Sequence, residues 1–86
     1  MVFQVLLRPD AAKFLEKLSN DISSRIKDKL RQLKENPFYY LEHYEGDDFY
    51  KLRIGEYRAL IDVDTKNKII YVRVIDHRSG IYKRKR

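Results

Sequence analysis

Lys51, Arg53, Arg58 and Arg78, with His77 and Tyr82, are the residues of this chain whose types and spacing could do chemistry. Three of them fall on one predicted hairpin. Residues 49–54 and 57–63 are strand-like runs separated by Gly55-Glu56, and a Gly-X pair in that setting signals a two-residue type II′ turn. Such a turn fixes a register in which Ile54 faces Tyr57, Arg53 faces Arg58, Leu52 faces Ala59 and Lys51 faces Leu60. Side chains alternate along a strand, so Leu52, Ile54, Tyr57, Ala59 and Ile61 share an apolar face, expected to lie on helices. Lys51, Arg53 and Arg58 share the other face. Two arginines directly opposite each other repel unless an anion sits between them. Guanidiniums grip phosphate bidentately, so three cations on a stiff platform suit a phosphate site. The alternative is a solvated face whose long side chains splay apart, with Asp62 or Glu56 neutralising the pair.

Arg78, His77 and Tyr82 follow a third β-rich run, residues 69–75, at a strand end where scaffolds often present functional groups. His77 could serve in acid–base chemistry or cap the strand. Tyr82 precedes Lys83-Arg84-Lys85-Arg86, a cationic setting that favours a phenolate, or it packs the chain end onto the sheet. His43 has loop aromatics around it and no obvious partner. Two lone histidines and no cysteine offer neither a metal site nor a disulfide framework, so no cofactor is expected.

These residues need elements to hold them. Residues 3–7 read as a strand stopped by Pro9, which suits the first turn of a short amphipathic helix carrying Phe14, Leu15 and Leu18. Ser19, Asn20 and Asp21 offer caps for a second helix, whose Ile22, Ile26, Leu30 and Leu33 recur at helical spacing. That helix must end before Asn36-Pro37. Residues 36–48 read as an aromatic-rich loop, and His77 to Arg86 as a polar, basic tail. The expected fold is α+β in a single domain, 1–86. It has an N-terminal strand, an antiparallel helical hairpin, and a mostly antiparallel sheet of three further strands.

Charge narrows the partners. Residues 1–46 carry eight Lys or Arg against seven Asp or Glu, and residues 47–86 carry eleven against six, so the positive field belongs to the second half. Such a field favours nucleic acid, because phosphate neutralisation drives binding. The basic residues do not lie opposite a broad apolar helix face, which argues against a membrane partner. No apolar run reaches membrane-span length, and the expected location is the cytoplasm.

The segment Tyr50-Lys51-Leu52-Arg53-Ile54-Gly55-Glu56-Tyr57-Arg58 resembles the Y-R-L-R-V-G-D-Y-R stretch of the RelE family of toxin–antitoxin toxins, and His77-Arg78-Ser79-Gly80-Ile81-Tyr82-Lys83 resembles its closing H-R-x-x-V-Y-R. The resemblance covers nearly the whole chain. It implies a compact RelE fold and metal-independent cleavage of mRNA in the ribosomal A site by attack of the RNA's own 2′-hydroxyl. It implies that Lys51 and Arg53 stabilise or take part in proton transfer, that Arg58 and Arg78 grip phosphate, and that Tyr82 stacks on or protonates near the leaving group. His77, Lys83 and Arg84 are added as RNA-binding positions. The implied partners are the ribosome with its A-site mRNA and a RelB-like antitoxin, in a higher-order hetero-oligomer. Leu41, Tyr44 or Phe38 could receive that antitoxin. Asp76 departs from the family pattern, where many relatives have glycine, and would put an acid near the clamp. Two rivals remain: a ParE-like toxin that shares the fold and inhibits DNA gyrase but should not need Lys51, Arg53, Arg58, Arg78 and Tyr82, and a non-catalytic RNA- or ribosome-binding domain that would keep the charge but lose nothing when Tyr82 changes.

Overall fold

The computed structural model describes residues 2–43 and 49–83, the last two by their backbone only. Gln4–Leu7 forms strand β1, and Pro9–Lys17 forms helix α1 with Pro9 at its start and Asp10 in its first turn. Both suit a helix N-terminus, the proline because no partner is needed for its missing N–H, the acid because of the helix dipole. Helix α2 spans Asn20–Gln32. Of the three candidate caps, Ser19 takes the role, its hydroxyl accepting the Ile22 N–H at 3.4 Å. Ala11 and Leu15 of α1 and Ile26 and Leu30 of α2, followed by Leu33, go into the core.

The expected loop at 36–48 holds two short elements instead. Pro37–Tyr40 forms one helical turn, α3, closed by the Leu41 N–H bonding to the Pro37 carbonyl at 3.2 Å. Glu42–His43 forms strand β2, which pairs antiparallel with β3, Tyr50–Ile54. A single turn and a two-residue strand are too short to leave a periodic signature. Tyr44 and residues 45–48 lie outside the described residues.

Strand β4, Tyr57–Asp64, and strand β5, Ile69–His77, complete a five-stranded sheet ordered β1-β5-β4-β3-β2. The sheet therefore has four strands beyond the first, not three, and its one parallel pairing is β1 with β5. The turn between β3 and β4 behaves as read: Gly55 takes φ +59° and Glu56 does not, the type II′ pattern. The register is also as read, Ile54 with Tyr57, Arg53 with Arg58, Leu52 with Ala59 and Lys51 with Leu60.

Both long helices cover one face of this sheet, where Leu52, Ile54, Ala59, Ile61, Ile70, Val72 and Ile75 form the main core. The members from β5 change parity between Val72 and Ile75. A register shift explains this: Leu60 pairs with Val74 but Ile61 pairs with Val72, leaving Arg73 as an extra residue. Such a bulge swaps which side chains face the core.

The segment after β5 is a short helix, α4, Arg78–Lys83, where an irregular tail was expected. Its Ile81 packs on Leu60 with Phe49 and Val74, a small second core on the sheet's reverse face. Leu60 is consequently only 4 % exposed, although it shares its face with Lys51, Arg53 and Arg58. Among the described residues, no helix is long and apolar enough to cross a membrane.

Candidate phosphate-binding site

Arg53 and Arg58 stand side by side on β3 and β4 because the tight turn sets them opposite each other, and because their neighbours Leu52 and Ala59 are held in the core. Both point to the reverse face. Arg58 is the better fixed: its Nη1 donates to the carbonyls of Gly55 and Tyr57, both at 2.8 Å. Two backbone acceptors lay the guanidinium over the hairpin turn. They leave its Nε and Nη2 without a protein partner among the described residues.

Lys51 lies two residues back along β3 on the same face, but it is not the solvent-facing cation expected. Its side chain is only 21 % exposed, and its Nζ lies 3.9 Å from Glu42 Oε1. Glu42 faces Lys51 across the β2–β3 ladder, so the unforeseen strand supplies an unforeseen carboxylate. Arg78, exposed, opens α4, and its N–H donates to the Glu56 carbonyl at 2.9 Å. That bond ties the start of α4 to the hairpin turn. Tyr82 and Lys83 form the last turn of α4 and their side chains lie outside the described residues, as does Arg84 entirely.

His77 is turned the other way. It pairs with Tyr57, its ring lies edge-on to Tyr57 at 5.8 Å, and Tyr57 in turn meets Phe14 of α1 at 6.1 Å. The imidazole thus sits on the helix-covered side of the sheet. Its Nε2 is 3.2 Å from Glu56 Oε1 and its Nδ1 is 3.2 Å from Ser79 Oγ. His43 is similarly engaged with an aromatic, Tyr50, at 5.3 Å, and Tyr50 meets Phe38 at 5.4 Å.

Neither acid considered as a neutraliser of the arginine pair does that work. Asp62 pairs with Arg73 at 3.6 Å, the bulge residue, whose guanidinium also stacks on Phe49 at 5.0 Å. Glu56 serves His77. The acid directly across the ladder from Arg58 is Asp76. Its place in the row depends on the bulge, which no local pattern announces. Among the described residues, no group of three His, Asp or Glu side chains could hold a metal ion. What the reverse face can do is bind and polarise a phosphate.

A mixed five-stranded sheet with two long helices on one face is the fold of a known class of small toxins. The toxin–antitoxin complex RelBE2 of Mycobacterium tuberculosis aligns with a TM-score of 0.80 over 90 % of this chain and 99 % of that one, at 21 % identity. The archaeal RelE–RelB complex of Pyrococcus horikoshii aligns at 0.76, with 25 % identity over 91 % and 97 %. In sequence the chain is 31 % identical to the RelE1 protein of Methanocaldococcus jannaschii over 96 % of this chain and 98 % of that protein. Residues 5–82 match the family described as the ParE toxin of type II toxin–antitoxin systems, and the chain belongs to that family. It is a RelE-type toxin of a type II toxin–antitoxin system.

Proposed function

We propose that this toxin is a ribosome-dependent endoribonuclease that inhibits translation by cutting mRNA in the A site. The observation that carries this reading is the Arg53–Arg58 pair, held in direct opposition on a rigid hairpin with Arg58 fixed by two carbonyls. Like charges are brought together at a cost, and a phosphodiester between them offsets it. In the reaction, the 2′-oxygen bonds to phosphorus as the bond to the 5′-oxygen breaks. One proton leaves the 2′-hydroxyl and one reaches the 5′-oxygen. Charge builds on the phosphate oxygens, and fixed cations stabilise it. Arginine does not lose its proton, so Arg53, Arg58 and Arg78 act electrostatically. Lys51, Tyr82 or the ribosome's own groups remain to move protons.

His77 faces the helices and is assigned to holding α4 against the hairpin, through Glu56 and Ser79. The solved RelE–RelB complex of P. horikoshii supports a RelB-like antitoxin as this toxin's partner in a hetero-oligomer. The net +5 half-chain would attract an acidic or mixed-charge segment.

The test incubates purified protein with mRNA, with and without ribosomes, and maps any breaks. Cleavage confined to the A site of ribosome-bound message supports the reading. The family description names the ParE toxin, so the second reading is the ParE-like one, inhibition of DNA gyrase. Loss of gyrase supercoiling with intact message would establish that reading instead.

A further inference from the structure

One row of side chains crosses three strands on the reverse face: Arg53 on β3, Arg58 on β4 and Asp76 on β5. Asp76 is wedged in place. Its Oδ1 accepts the His77 N–H at 2.7 Å. Its carboxylate also lies so close to Gly80 that a Cβ there would fall 2.6 Å from Cγ and Oδ2 and 2.7 Å from Oδ1. The acid therefore fills the gap between the end of β5 and the first turn of α4, and any side chain at residue 80 would make the carboxylate shift. With two guanidiniums and one carboxylate, the row carries a formal charge of +1.

We propose that Asp76 sets the charge of the phosphate that this site accepts, favouring the monoanionic phosphodiester inside an RNA chain over the dianionic phosphomonoester at a chain end. This rests on the reading of the row as an RNA phosphate site. Attraction to the row grows in proportion to the ligand's charge, whereas the cost of stripping water from the ligand grows with its square. The Asp76 carboxylate repels a dianion twice as strongly as a monoanion, so it tilts the balance between attraction and desolvation toward the monoanion. Asp76 thereby keeps free phosphate and RNA ends from competing with internal linkages.

The arithmetic makes the proposal quantitative. Removing the carboxylate adds an attraction proportional to ligand charge, so the monoester's gain in affinity is about the square of the diester's. The variant is Asp76→Asn, whose side-chain oxygen can still accept the His77 N–H. The probes are a dinucleoside monophosphate with one internal diester and a nucleoside 3′-monophosphate. They are titrated at pH 8, where the monoester is a dianion, and followed by NMR at the Arg58 Nε–H, with the amide spectrum reporting the fold. A partly exposed charge of this kind is worth about threefold for the diester, hence about tenfold for the monoester. Asp76→Ser, also able to accept from the His77 amide, should reproduce the pattern. Glu16→Gln makes the same change in net charge on helix α1 and should move both affinities by less than about 1.5-fold.

Equal factors for the two probes overturn the proposal, as does an unchanged affinity at Arg58 or a Glu16→Gln effect as large as that of Asp76→Asn. In each of those cases the phosphate site itself stands. If neither probe perturbs Arg58 in any variant, the phosphate-site reading falls and the proposal with it.

Discussion

Arg53 and Arg58 face each other directly across the β3–β4 ladder, one step from the turn that joins their strands. Their opposition costs stability in the free protein, because like charges at that spacing repel. The pairing beneath them, Leu52 with Ala59, stabilises the hairpin from the other face, with both residues inside the core. A site for an anion is thus maintained by apolar burial behind it.

The two faces should respond oppositely to truncation. Leu52→Ala leaves a cavity in the main core and should cost about 2–5 kcal/mol. Arg53→Ala removes one of two repelling charges and should fall within about 0.5 kcal/mol of the parent, or above it. Urea unfolding of both variants checks the pair. A large loss for Arg53→Ala would mean that its stem, not its charge, holds the hairpin.

Arg58→Ala should lower cleavage by roughly 10²–10³, the range for losing one donor to a developing oxyanion. Ribosome binding should change little, since many other cations remain to hold rRNA phosphate. Single-turnover cleavage on stalled ribosomes, with binding measured separately, distinguishes these effects. Normal cleavage with collapsed binding would make the hairpin a docking surface.

Gly80→Ala should push the Asp76 carboxylate off the His77 N–H and cost about 1 kcal/mol, because the added methyl would fall within 2.6–2.7 Å of the carboxylate atoms. Shortening the acid removes the collision, so Asp76→Ala should make Gly80→Ala far milder. A double-mutant cycle measures that coupling. Additive losses would show that the two residues are not in contact.

Asp64 should give a small, acid-side dependence of stability. Hydrogen bonds from the Asn67 side chain and backbone N–H hold its carboxyl below the usual 3.8. A group whose pKa is depressed on folding contributes stability above its unfolded pKa and loses it as pH falls through the folded one. The thermal midpoint of the wild type should therefore exceed that of Asp64→Asn near pH 5–7, and the difference should vanish as pH falls below about 3. A gap that widens on acidification would contradict the assignment.

Much of this architecture was legible in the sequence because it is local. A Gly-X turn fixes a hairpin register within a dozen residues, so the Arg53–Arg58 pair and the burial of Leu52 and Ala59 could be read directly. Ser19 before a run spaced as a helix marked α2, and Pro37 marked its limit. The parallel pairing of β1 with β5 was not legible, since it joins residues more than sixty positions apart and parallel strands leave no turn signature. The bulge at Arg73 was equally hidden. It depends on how β5 fits a partner strand, and it alone moves Ile75 into the core and Asp76 onto the face of Arg58. Lys51 looked like a free cation until β2 brought Glu42 beside it, and His77 looked like part of the site until the pairing with Tyr57 turned it toward the helices. The sequence by itself determined which residues form the hairpin and which carry charge. Tertiary structure decided which charges meet, because that depends on contacts between strands and on a single extra residue that reverses the alternation.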